Sequence, residues 1–273
     1  MFKSYILKLF KQFGFIYRVW TTGKILDKNY NIIKGSIRTR PDNDDAWLFA
    51  LSRNSSQIFD IGSNIGQAAL MMLYHDSVNK VYLVDPNPKA LSMAAENIIQ
   101  NNLSMRTEFI CAFISDKSNS SVDFYTEESG AAGSIYKGFA KTAAKSDSHY
   151  QVKTLTLDFL SQYYGIIPDL IKVDVEGAER EVLAGATNIA SKAKSAFFVE
   201  IHSGPELSIT ENTQGILDWC NENKYTPWYL KTKQKLNVDS IKTRGRFHTL
   251  LLPDGHDLPS SVLNIKEKDP ISV

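Results

Sequence analysis

The chain has 273 residues, of which 43% are apolar and 22% charged. That is the usage of a globular protein able to bury its own core without disulfides or metal, and it excludes a disordered chain, a collagen-like fibre and a small disulfide scaffold. Thirty-one basic against thirty acidic residues give a net charge of +1, without the basic excess of a nucleic-acid domain.

The charge is uneven along the chain. Residues 1–24 hold five basic and no acidic residues, and residues 230–248 hold six basic residues and one acid, Asp239, which leaves −9 for the rest. An acidic centre with basic ends suits a cationic cofactor better than a polyanion. Cys111 and Cys220 form no CxxC pair and read as small apolar residues in a reducing compartment, which predicts a cytoplasmic location. No apolar run is long enough to span a membrane. Lys8 and Lys11 interrupt the first segment, which therefore does not read as a signal peptide.

In chain order, Ile6, Leu9, Phe10, Phe13, Ile16, Tyr17 and Trp20 recur at helical spacing with lysines between them. This predicts a basic amphipathic helix, either a cap on the main domain or a peripheral membrane contact through residues 1–24. Short apolar runs then alternate with helical stretches. Strands are predicted at 57–61, 81–84, 107–114, 170–173 and 197–201, and helices at 68–74, 88–99, 180–186 and 215–222. The helix over 88–99 has Asn87 as N-cap and Pro88 at its first position. Residues 121–125 and 152–157 read as extra strands, and 225–230 and 247–252 as a closing pair. The alternation predicts an α/β fold with a parallel sheet and an antiparallel end. The Gly-, Ala- and Ser-rich stretch 129–149 reads either as a lid or as a surface insertion. Three parts are expected: an N-terminal helical cap or arm (1–44), a cofactor-binding domain (45–252) and a C-terminal tail (253–273).

The chemistry concentrates in four motifs. The first is Asp60-Ile61-Gly62-Ser63-Asn64-Ile65-Gly66, between a strand and a helix. Gly62 permits a tight turn and close ligand approach, and the helix start offers free N–H groups. This is not the dinucleotide fingerprint, because Asn64 stands where its second glycine would be and would crowd a pyrophosphate. Asp60 suits an amino group or a sulfonium. The second is Asp85, 19 residues after Gly66 at the end of the next strand, placed to accept both ribose hydroxyls. The third is Ile171-Lys172-Val173-Asp174-Val175-Glu176-Gly177-Ala178-Glu179, which brings Asp174 to the same sheet edge. Glu176 and Glu179 also fit as helix-dipole partners. The fourth is Val199-Glu200-Ile201-His202, whose histidine, with an ordinary pKa near 6.5, is a candidate base. Asp174, Glu176, Glu200 and His202 could also hold a divalent metal, but such sets arise readily by chance, and no metal is assigned.

With DIGSNIGQ, VDPNP, LIKVDVEGAEREVLAGA and VEIH in place, the sequence resembles the FkbM-type S-adenosylmethionine-dependent methyltransferases from about Asp45 to about Tyr229. KVDVEGAE is the most specific part. The resemblance implies the Rossmann-like class I methyltransferase fold, a seven-stranded, mostly parallel sheet with an antiparallel last strand and helices on both faces. It implies S-adenosyl-L-methionine as cofactor, with Asp60, Gly62, Ser63, Asn64 and Gly66 along its methionine part. It also implies Asp85 at the ribose with Asn87 beside it, Ala112 to Asp116 near the adenine, and Asp174 beside the transferred methyl. No acid occupies Ala112, so backbone or Asp116 would serve there. The family's chemistry implies O-methylation of a small-molecule, sugar or glycan hydroxyl. His202 is the candidate base, Asp174 its alternative or orienting partner, and Glu176 the grip on the acceptor. No nucleic-acid partner is expected, since Asp-Val-Glu-Gly stands where an Asn-Pro-Pro-Tyr-like motif would be and no Pro-Cys pair exists. The rival readings are a catalytically inactive scaffold at a membrane surface and a nicotinamide-dependent oxidoreductase.

Overall fold

The structure is a computed structural model that describes residues 18–38, 44–126, 133–136, 138 and 148–272. Residues 1–17, where most of the basic amphipathic helix was expected, lie outside the described residues. Trp20, the last residue of that expected helix, instead opens a β-hairpin. Strands β1 (Trp20–Ile25) and β2 (Lys28–Ile33) pair across a two-residue turn, in which Leu26 takes a left-handed φ of 51°. β-Branched Thr21, Thr22, Ile25, Ile32 and Ile33 favour this strand pair.

The central sheet is built from β3 (Gln57–Ile61), β4 (Lys80–Val84), β5 (Thr107–Ile110), β9 (Leu170–Val173), β10 (Ala196–His202), β11 (Tyr225–Tyr229), β12 (Gln234–Lys235) and β13 (Arg246–Pro253). Their spatial order is β12-β11-β13-β10-β9-β3-β4-β5. Strands β5, β4, β3, β9 and β10 run parallel, and β13, inserted between β10 and β11, runs antiparallel to both. The expected mostly parallel sheet with an antiparallel last strand is therefore present. The two-residue edge strand β12 makes eight strands where seven were expected.

Helices cover both faces. α1 (Asp45–Ser52), α2 (Gln67–Met72), α3 (Pro88–Gln100) and α8 (Ser260–Leu263) bury Trp47, Leu70, Ile98 and Val262 against Ile58, Val81, Leu83 and Phe198. On the other face α4 (Leu157–Tyr164), α5 (Glu179–Ala184), α6 (Thr187–Ser191) and α7 (Ile209–Asn223) bury Leu160, Val182, Ile189 and Trp219 against Phe59, Ile61, Ile171 and Val199. Because strand side chains alternate, each strand feeds both cores. Asn87 caps α3, accepting N–H bonds from Lys89 and Ala90, as the sequence predicts. The hairpin docks on α3 through Asn97, whose Oδ1 accepts the Ile33 N–H at 2.8 Å.

Two stretches depart from the predicted elements. Residues 107–114 are not one strand. β5 ends at Ile110, and β6 (Phe113–Ile114) leaves the sheet to pair with β8 (His149–Leu155), which also pairs antiparallel with β7 (Ser121–Tyr125). Leu157, taken as the end of a strand, is the first residue of α4, because Thr156 caps that helix at the Phe159 N–H. Cys220 is buried as expected, whereas Cys111 is exposed at the end of β5. Among the described residues no helix is long and apolar enough to cross a membrane.

Candidate active site

The carboxyl ends of β3, β4, β9 and β10 meet at one edge, where an open α/β sheet binds ligands. A cavity of about 1180 Å³, counting its open mouth, lies there. Its lining includes Gly62, Ser63, Asn64, Asp85, Asn87, Ala112, Asp174 and Glu176, which brings eight of the expected site residues together.

The glycine loop explains the shape. Gly62 has φ +79°, and a Cβ there would stand 1.8 Å from the Asp174 carbonyl oxygen, so only glycine lets the loop after β3 pass the end of β9. Gly66 does not line the cavity. It is the N-cap of α2 at φ +84°, and a Cβ would meet Ala94 at 2.9 Å, so it sets the approach of α2 to α3. Asn64 takes a left-handed φ of 48°, and its N–H donates to Asp85 Oδ2 at 2.8 Å. Asp85 Oδ1 accepts the Asn87 N–H, also at 2.8 Å. Burial raises the Asp85 carboxyl to about 6 against the pull of those two N–H groups. Each oxygen keeps a lone pair for a ligand hydroxyl.

Besides Gly66, two expected cofactor contacts lie outside the lining. Asp60 is completely buried beneath the loop, and its Oδ1 is 3.2 Å from Lys172 Nζ. The alternation along β3 points it at the core beside Lys172, its register partner on β9, so it supports the loop and does not line the cavity. Lys172 Nζ also donates to the Gly62 carbonyl at 3.0 Å and lies 3.6 Å from Asp174 Oδ2. Burial opposes the charge on Lys172, but Asp60 and Asp174 outweigh it and hold the ammonium protonated. Asp116 is exposed and outside the lining, accepting from Ser115 Oγ, while its neighbours Ala112, Phe113 and Ile114 line the cavity.

His202 sits within a ring of carboxylates. Its Nδ1 is 2.9 Å from Glu179 Oε1, and its Nε2 is 3.6 Å from Glu176 Oε2 and 3.8 Å from both Asp174 Oδ1 and Glu200 Oε1. Burial opposes protonation, but the Glu179 bond and the charges of Glu179, Asp174 and Glu176 push the pKa up to about 10. Nδ1 bonds Glu179, whereas the carboxylates around Nε2 stand too far away for hydrogen bonds. The expected base therefore lies among carboxylates that favour its protonated form over that of a free imidazole. Glu176 takes a left-handed φ of 52°, uncommon outside glycine and a form of strain found at functional sites. That turn aims it at the cavity.

Several residues around the site carry only a weak signal in the sequence. Glu179, read as a dipole partner, is fully buried and takes His202 Nδ1, the Gly177 N–H and Asn212 Nδ2. His248 lies directly opposite Glu200 across the β10–β13 pair, with Nε2 3.5 Å from Glu200 Oε1 and 3.7 Å from Asp44 Oδ2. Burial works against the Glu200 charge, but His248, His202 and Arg246 bring it down to about 2. The available signal was charge inside apolar runs, at Lys172 in β9 and Glu200 in β10. A described part of 129–149, Gly133 and Ser134, lies at the site. Gly133 lines the cavity, Ser134 Oγ donates to the Glu176 carbonyl at 2.8 Å, and Tyr136 donates to Glu181 at 2.8 Å.

Comparison with known proteins adds three observations. The family model of the methyltransferase FkbM domain matches residues 60–227. Two curated relatives are a hexuronic acid methyltransferase, AglP, from Haloferax volcanii and Methyltransferase 1 from Beauveria bassiana. The first is 28% identical over 148 residues, 54% of this chain and 56% of the relative, and the second 27% identical over 147 residues, 48% and 59%. The chain thus spans little more than half the length of these relatives. A solved structure of an FkbM methyltransferase from Methylobacillus flagellatus covers 72% of this chain and 43% of its own, at 15% identity and a TM-score of 0.46.

Proposed function

The chain belongs to the methyltransferase FkbM family, and from that membership we propose that it is an S-adenosylmethionine-dependent O-methyltransferase acting on a sugar or glycan hydroxyl. One observation carries the reading. The glycine loop, the ribose-type acid Asp85 and the carboxylates Asp174 and Glu176 line a single cavity at the carboxyl edge of the sheet. The hexuronic acid specificity of the Haloferax relative supports a sugar acceptor.

The cavity fits the cofactor by its chemistry. Asp85 accepts hydroxyl protons at the ribose, and the turn from Gly62 to Asn64 leaves room for the methionine part. When bound, S-adenosylmethionine supplies an electrophilic methyl on a sulfonium, transferred in line to an acceptor oxygen. The chain's own work is positioning and proton handling. Glu176, aimed into the cavity by its left-handed turn, accepts a hydrogen bond from the acceptor. Asp174 takes the hydroxyl proton as the new carbon–oxygen bond forms. His202 and Lys172 hold Asp174 from two sides. They keep its oxygens aligned without giving up protons of their own.

The test is incubation of the full chain with S-adenosylmethionine and a panel of sugar nucleotides and glycans, uronic acids included. S-adenosylhomocysteine release should accompany one added methyl on a hydroxyl by mass spectrometry. Transfer only to amine acceptors would contradict the reading.

A further inference from the structure

Several buried polar atoms beside the cavity have no hydrogen-bond partner, and they converge. His202 is 5% exposed, with Nδ1 fixed by Glu179. Among the described residues its Nε2 makes no hydrogen bond, and neither does Glu200 Oε1, although Arg246 Nη1 lies 3.0 Å and His248 Nε2 3.5 Å away. Separations of 3.6 to 3.8 Å from Nε2 to Glu176, Asp174 and Glu200 are too long for hydrogen bonds. They suit ligands sharing one ion. With metal–ligand bonds of about 2.1 Å, two ligands stand about 3.4 Å apart in a tetrahedral site and about 4.2 Å apart when opposite each other.

The charge balance points the same way. Asp44, Asp60, Asp174, Glu176, Glu179 and Glu200 are set against Lys172, Arg246, His202 and His248. Even with both imidazoles protonated, negative charge is in excess. Histidine held at Nδ1 by a carboxylate, with Nε2 free, is the arrangement that orients a metal-binding imidazole.

We propose that His202 Nε2, Asp174 Oδ1 and Glu200 Oε1 form a binding site for one divalent transition-metal cation, with Glu176 at its rim. These three ligand atoms all lie within 4.8 Å of one another. An imidazole among carboxylates favours manganese, iron, cobalt or zinc over magnesium or calcium. Asp174 and Glu176 keep 28% and 33% of their side-chain surface exposed. Both line the cavity, so the ion's open positions face the space where an acceptor hydroxyl would lie. The ion site stands on these side chains and not on the methyl-transfer reading.

The test is titration of the full chain, stripped with a chelator and free of S-adenosylmethionine, with manganese chloride, following free Mn2+ by electron paramagnetic resonance. The expected result is saturable uptake of one ion per chain. His202→Ala and Asp174→Asn should each weaken it at least tenfold. His256→Ala, at an exposed loop histidine, should bind as wild type. Circular dichroism checks that each variant folds, and Asp174→Asn decides if His202→Ala does not. No saturable uptake at millimolar Mn2+, or unchanged affinity in folded Asp174→Asn, overturns the site. A separate titration of the stripped protein with S-adenosylmethionine distinguishes the two proposals. Cofactor binding without Mn2+ uptake removes the ion and leaves the methyl-transfer reading intact.

Discussion

Lys172→Met isolates the interaction that holds the glycine loop. The substitution keeps the volume of a side chain about 6% exposed but removes the ammonium facing Asp60, which is completely buried. A buried carboxylate without its partner stays folded by taking up a proton. Holding Asp60 neutral at pH 7, when its ordinary pKa is about 3.9, spans about three pH units at about 1.4 kcal/mol each, or about 4 kcal/mol. That agrees with the roughly 3–5 kcal/mol lost when one partner of a buried pair is removed. The sign with pH follows. Burial already raises the Asp60 pKa in the wild type against the pull of Lys172, and the variant raises it further, so the deficit is absent below the unfolded pKa and grows as pH rises towards the variant's folded one. Urea unfolding of wild type and Lys172→Met at pH 7 and near pH 5 should show a deficit of about 4 kcal/mol shrinking by about 1.4 kcal/mol per unit. Adding Asp60→Asn should restore most of the loss at pH 7. A deficit under 1 kcal/mol, or one independent of pH, would refute the reasoning.

Other expectations follow from the same geometry. Asp85→Ala removes the acceptor of the Asn64 and Asn87 N–H groups as well as the ribose ligand, so calorimetry should show S-adenosylmethionine affinity falling at least 100-fold. In wild type, affinity should decline as pH drops below about 6, where the Asp85 carboxyl becomes neutral, and a flat profile from pH 5 to 8 would argue against that contact. Gly62→Ala places a Cβ 1.8 Å from the Asp174 carbonyl, so its melting temperature should fall by several degrees with loss of cofactor binding. His202→Ala should keep cofactor affinity within a few-fold while turnover falls at least tenfold, as steady-state kinetics would show.

The sheet was legible because its strands are short β-branched and aromatic runs separated by capped helices. Asn87-Pro88 fixed the start of α3, and the 225–230 and 247–252 pair announced the antiparallel end. The glycine loop, Asp85, Asp174 and Glu176 could be placed at one edge because each ends or closely follows a predicted strand. What stayed hidden depends on the other faces of those strands. Asp60 looked like a cavity residue by its position, but the pleat turns it inward onto Lys172. His202 looked like a free base because Glu179, which fits as a helix-dipole partner, meets it only after α5 folds back over the sheet. The break between Ile110 and Phe113 was invisible because both halves have strand composition, and only the partner β8 draws the second half away. The β1–β2 hairpin was hidden by Trp20, which fits a helical stripe as readily as a strand end.

The central claim is that the cavity bounded by Gly62, Asn64, Asp85 and Asp174 binds S-adenosylmethionine. The most direct test is calorimetric titration of the purified chain with S-adenosylmethionine and, separately, with NAD. The account predicts saturable binding of S-adenosylmethionine at one site per chain, abolished in Asp85→Ala, and no binding of NAD. Binding of NAD alone, or equal S-adenosylmethionine affinity in folded Asp85→Ala, would contradict it.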